Sequence, residues 1–191
     1  MIQVMQKAKS TVKGKLLLIL CAVVGAVTLP QIVHMIGRAT GSGNALGELL
    51  LPMHFFVLLA GLFAGPAVGA VTGALAPLVS YLLSGMPGEA TLPFMMIELL
   101  GYGLVAGLLS EIRLNGFVKL LIAQIAGRAL RAVAVLLAVY AFDVQAVSVS
   151  SIWNMVRNGL LGIVLQWCII PLLLFYITRG EDNSERNTHH V

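Results

Sequence analysis

Long unbroken apolar runs organise this chain; neither strict alternation nor a one-sided apolar stripe does. The runs cover 16–36, 47–64, 66–84, 93–110, 117–142 and 155–177, and each approaches the ~20 residues that an α-helix needs to cross a bilayer. Three polar connections separate them: GRATGSGNALGE (37–48), SGMPGEATLP (84–93) and DVQAVSVSSIWN (143–154). They alternate with two tight ones, Gly65-Pro66 and SEIRLNG (110–116), where glycine, proline or charge stops one helix and restarts the next. The pattern predicts an all-α integral membrane protein, a six-transmembrane-helix bundle.

Composition strengthens the membrane reading. Of the 191 residues, 59% are hydrophobic and 10% charged, against roughly 25% charged in soluble chains, and mean hydropathy is +0.95. Six spans leave only short loops and tails, which excludes a second soluble domain. The chain divides into a basic N-terminal segment (1–15), a membrane domain (16–177) and a polar tail (178–191).

Charge then orients the bundle. With the N-terminus in the cytoplasm, Lys7, Lys9, Lys13, Lys15, Arg113, Lys119, Arg179 and Arg186 fall inside and Arg38 alone falls in an outer loop. Both termini are then cytoplasmic. The same pattern replaces nucleic-acid binding as an explanation of the pI near 9.3, because the basic residues are scattered and lack interleaved aromatics. The first run is nearly span-length and no small-x-small cleavage site follows it, so it reads as a span and not as a signal peptide. Cys21 and Cys168 fall inside spans and read as packing residues, not as a disulfide or metal pair.

Gly61, Gly65, Gly69 and Gly73 recur every four residues, and Gly103 with Gly107 repeats the spacing. Small residues at this interval let helix backbones approach in lipid. A nucleotide loop requires Gly-x4-Gly-Lys-Ser/Thr, and the Gly14-Lys15 pair is followed by Leu16. No ATP site is visible.

Ionisable groups in the spans are the informative chemistry, since each costs about 2.5–3.5 kcal/mol at the bilayer centre on insertion scales. Glu98 lies in the fourth run, Arg128 and Arg131 in the fifth and Arg157 at the outer end of the sixth. His54, Tyr102, Gln124, Trp153, Asn154, Asn158 and Gln166 surround them. At ~1.5 Å rise per residue most of these groups converge on the outer half of the membrane, and Asn154, Arg157 and Asn158 share one helix face. Two roles stay open: Glu98 pairs with Arg131 or Arg128 to fix helix register, or these groups bind a ligand. Three arginines against one glutamate leave positive charge that an anionic ligand could balance, and arginine offers a fork for a carboxylate.

An intramembrane hydrolase using Ser84 or Ser80 with His54 is poorly supported, because neither a Gly-x-Ser-Gly nor a His-Glu-x-x-His pattern is present. A stand-alone carrier or channel is the alternative transport reading.

The run LPMHFFVLLAGLFAGPAVGAVTGALAPLVSYLLSGMP (51–87), followed by the Glu-Leu and Tyr-Gly-Leu stretch with Gly107-Leu108-Leu109, resembles the substrate-binding S components of energy-coupling factor vitamin transporters. The likeness spans roughly 45–112, and its Pro-Met-His and Gly-Met-Pro motifs look most like the pantothenate-type branch. The resemblance implies a non-enzymatic subunit of the bacterial or archaeal cell membrane that captures a small water-soluble vitamin from outside. Partners implied are a membrane coupling subunit and two ATPase subunits, which would hold the ATP; no cofactor is expected on this chain. By the same resemblance, Ala22 and Ala26 are candidates for the coupling face. His54, Glu98, Tyr102, Arg128, Arg131, Asn154, Arg157 and Asn158 are the candidate ligand residues, and loop 84–93 is a candidate lid, its Gly85, Pro87 and Gly88 suited to hinge conformations.

Overall fold

In the computed structural model, residues 11–43 and 45–188 are described, with side chains through Tyr176. Lys7, Lys9 and the last three residues of the tail lie outside the described residues, as do the side chains of Arg179 and Arg186.

Eight helices follow one another among the described residues: α1 (Val12–Ala39), α2 (Ala45–Leu50), α3 (Pro52–Ala64), α4 (Pro66–Ser84), α5 (Leu92–Ser110), α6 (Gly116–Tyr140), α7 (Ser150–Asn158) and α8 (Leu160–Thr188). Their ends follow local chemistry. Thr11 accepts from the Gly14 amide and Asn115 from the Phe117 amide, capping α1 and α6. Prolines open α3, α4 and α5, where a missing N–H costs nothing. Gly65 (φ 91°) and Gly85 (φ 71°) end helices in conformations that a side chain rarely adopts. The inner turn between α5 and α6 is tied by Lys119 Nζ, which donates to the Ser110 carbonyl across 2.9 Å.

Five helical segments are long and apolar enough to cross a membrane, α2 and α3 together forming one of them, and α7 with α8 supplies a sixth if the bent pair counts as one span. The six predicted runs are therefore present, with two differences. Span two is interrupted at Leu51, which takes a left-handed conformation (φ 48°, ψ 48°). Span six is not the continuous helix expected over 155–177: it breaks at Gly159, and α7 and α8 meet at 51°. The reason is compositional, since Ser150–Asn158 carries Asn154, Arg157 and Asn158 on an amphipathic turn that lipid would not accommodate, and Gly159 closes it on the Met155 carbonyl.

Helix α5 is the hub, packed against α4, α6 and α3. The glycine spacing works as expected. A Cβ on Gly103 would overlap the Gly69 carbonyl, one on Gly73 would overlap the Leu99 carbonyl, and one on Gly107 would overlap Pro66, so these contacts are backbone against backbone. Gly127 plays the same part on α6, where a Cβ would overlap the Tyr102 ring. That approach sets Arg131, one turn further out, beside α5. Leu99, Tyr102, Ala106, Val57, Leu58 and Ala26 fill the core, while the apolar faces of α1 (Leu16, Leu20, Val24) and α6 (Ile125, Val133, Leu137) are exposed, as lipid-facing surface should be.

Cys21 and Cys168 are free and lie on the exposed surface of the bundle, so they are not the packing residues expected. Ala26 is fully buried in the core cluster and Ala22 is half-buried.

Candidate ligand cavity

The break in span two and the break in span six meet. A Cβ on Gly159 would lie 2.7 Å from Leu51 Cδ1, and one on Gly162 would lie 2.6 Å from the Leu50 carbonyl group, so only glycines let α8 approach there. Gln166 Nε2 donates to the Leu51 carbonyl at 3.3 Å. Gln124 Nε2 donates to Gln166 Oε1 at 2.8 Å, and Trp167 Nε1 donates to Gln124 Oε1 at 2.6 Å. This buried chain satisfies the carbonyl that the break frees, as interrupted backbone within a membrane requires. On the other side of the breaks, Asn158 Nδ2 of α7 donates to Glu48 Oε2 of α2 across 3.1 Å.

Between and above these contacts lies a cavity of about 370 Å³, in the size range of small-molecule sites. Its floor includes His54 and Arg131, 2% and 5% exposed. Its rim includes His34, Glu48, Asn154 and Asn158, and the loop between α4 and α5 covers it with Met86, Pro87, Gly88 and Thr91. That loop is tethered: Tyr81 Oη donates to Glu89 Oε1 at 2.8 Å, and Gln31 Nε2 of α1 donates to Ser84 Oγ at 2.8 Å.

Behind the floor sits Glu98, fully buried. Its Oε2 accepts from Arg131 Nη1 at 3.1 Å and its Oε1 accepts from Tyr102 Oη at 2.9 Å. His54 Nε2 stands 3.8 Å from the same carboxylate, beyond hydrogen-bond reach. Both ring nitrogens of His54 and the Nε of Arg131 are buried with no hydrogen-bond partner. With His34 Nδ1 and Ser151 Oγ, four side chains of the cavity lining carry a buried polar atom without a hydrogen-bond partner, a costly arrangement unless a ligand supplies the partners.

Of the sequence-predicted ligand residues, His54, Arg131, Asn154 and Asn158 line the cavity. Glu98 and Tyr102 stand behind its wall and orient Arg131. Arg128 is half-buried and Arg157 exposed, and neither lines the cavity. Spacing places Asn154, Arg157 and Asn158 on one face, and of the three the two asparagines line the cavity. Sequence reasoning missed Glu48, His34 and the methionines Met53, Met86, Met95 and Met155. Glu48 falls in both the 37–48 connection and the 47–64 run, and a carboxylate inside an apolar run was the available signal. Among the described residues, none of the chain's Phe, Tyr or Trp side chains lines the cavity.

A bundle of membrane-length helices with a cavity floored by buried polar side chains is the architecture expected of a membrane protein that binds a solute. The family described as ECF transporter, substrate-specific component, matches residues 17–177, and the chain belongs to that family. It is accordingly the substrate-specific membrane subunit of a transporter and not an enzyme, and the family works with membrane coupling and ATPase partners. No curated protein and no solved structure matches the chain.

Proposed function

We propose that this subunit captures a small anionic vitamin or precursor from outside a bacterial or archaeal cell membrane, with pantothenate the leading candidate. The ligand's acidic group meets Arg131 and His54 at the floor, and Asn154 and Asn158 bond its hydroxyl and amide groups. The observation that supports this reading is the pair of buried polar side chains on the cavity wall, His54 and Arg131, whose ring nitrogens and Nε have no hydrogen-bond partner. The Met86–Thr91 side of loop 84–93 acts as the lid. A coupling subunit with two ATPases then drives release inward. The absence of an aromatic stacking platform favours an aliphatic ligand such as pantothenate over a flat heterocycle.

The test is calorimetric titration of the purified chain with a panel of water-soluble vitamins. Submicromolar binding of pantothenate is expected. Binding of a different vitamin at that strength would replace pantothenate, and a panel without any binder would overturn the reading of the cavity.

A further inference from the structure

Charge is arranged unequally along this cavity. At the floor the charged group lining the wall is Arg131, whose counter-ion Glu98 stands behind it. At the rim the charged group lining the wall is Glu48, and Arg38 and Arg157 are not part of the lining. Glu48 lies on α2 and His54 on α3, on opposite sides of the break at Leu51. Glu48 is also held in place: its Oε2 accepts from Asn158 across the two broken spans, while a carboxylate has further lone pairs to offer.

We propose that Glu48, positioned by Asn158, is the specificity determinant for the outer end of the ligand. It takes a hydrogen-bond donor, a hydroxyl, amide N–H or ammonium, and turns away a second anionic group. The inference rests on the reading of this cavity as the ligand site. It narrows the substrate to a molecule with one acidic or acceptor group at the inner end and donors at the outer end. A phosphorylated precursor, which would set a phosphate against Glu48, is excluded. Like-charge juxtaposition is a means of rejecting a wrong ligand.

The experiment titrates the purified full chain with matched pairs: pantothenate and phosphopantothenate, pyridoxine and pyridoxine phosphate, thiamin and thiamin phosphate. The wild type is expected to bind an unphosphorylated member at least about tenfold more tightly than its phosphate. Glu48→Gln, which keeps an acceptor for Asn158, is expected to shrink that gap by about tenfold, whereas Arg157→Ala, on the same helix as Asn158 but off the lining, leaves it unchanged. Equal or tighter binding of a phosphorylated member, or an unchanged gap in Glu48→Gln, would overturn the assignment of Glu48 and leave the transporter reading standing. If no pair binds at all, the cavity is not the vitamin site, and both readings fall.

Discussion

Arg131 on α6 donates to Glu98 on α5 across 3.1 Å while it also lines the cavity and its own Nε stays buried without a partner. Register pairing and ligand contact are therefore not alternatives for this arginine. Glu98 and Tyr102 fix the direction of the guanidinium, and the fixed guanidinium faces the site with its orientation already decided.

The same relationship predicts an asymmetric response to mutation. Glu98→Ala leaves Arg131 buried without its counter-ion and is expected to destabilise the bundle by about 3–5 kcal/mol. The double variant Glu98→Ala/Arg131→Met removes both charges and is expected to recover part of that loss. Thermal unfolding in detergent measures both, and a double variant less stable than Glu98→Ala would argue that the pair is not the dominant interaction.

A second prediction concerns the α4–α5 seam. Gly103→Ala would push a methyl group into the Gly69 backbone, and backbone cannot swing away as a flexible side chain can. A loss of about 1–3 kcal/mol is expected. At Gly88 a Cβ meets nothing within 4 Å, so Gly88→Ala is expected to unfold at the wild-type temperature. Comparable losses at the two sites would show that the seam does not depend on close backbone approach.

How much of this was legible in the sequence follows the physics of lipid. Apolar run length is a demanding requirement, so the helices appear where the runs predicted them; α4 spans the predicted 66–84. Breaks are harder to read: Pro52, which cannot donate to the preceding turn and disfavours helical backbone at Leu51, marked the break in span two, but the apolar run across it outweighed that signal. Gly159 did carry a signal, a glycine following a polar turn, but the apolar run beyond it outweighed that signal. Ionisable residues mid-span were easy to single out, whereas their direction was not: Arg131 and Arg157 look alike in sequence, and only the close approach at Gly127 brings one of them to the floor. Glu48 was obscured because rim groups sit where loop and helix merge.

The break in span two yields a third prediction. Gln166→Leu removes the donor to the Leu51 carbonyl and the acceptor of Gln124 Nε2, both buried. A loss of about 1–3 kcal/mol in stability is expected. Because Leu51 itself lines the cavity, ligand affinity should fall as well. Unfolding and titration on the same preparation separate the two effects, and a variant that loses stability while binding normally would show that Leu51 keeps its conformation without Gln166.

Two neighbouring polar residues should behave oppositely towards ligand. His54→Leu removes both unpartnered nitrogens from the floor and is expected to weaken binding about tenfold or more. Arg157→Ala removes an exposed group off the lining and is expected to leave affinity within about twofold. Titration of the best-binding vitamin decides. Reversal of the order would move the site out to the face of α7.

The lid is the last element that can be tested separately. Met86, Pro87, Gly88 and Thr91 cover the cavity while Tyr81 Oη holds Glu89 Oε1 at 2.8 Å. Tyr81→Phe deletes that tether without touching the lining, because Tyr81 is not among the cavity residues. If the loop closes over bound ligand, the variant should release it faster, by about fivefold, with little change in the association rate, since closure acts after the ligand has entered. Stopped-flow dissociation into excess competitor reads this directly. An unchanged release rate would mean that the Gln31 bond to Ser84 holds the loop alone. The combined variant Gln31→Leu/Tyr81→Phe should then show the acceleration, and if it too releases ligand at the wild-type rate, loop 84–93 is a fixed wall and not a lid.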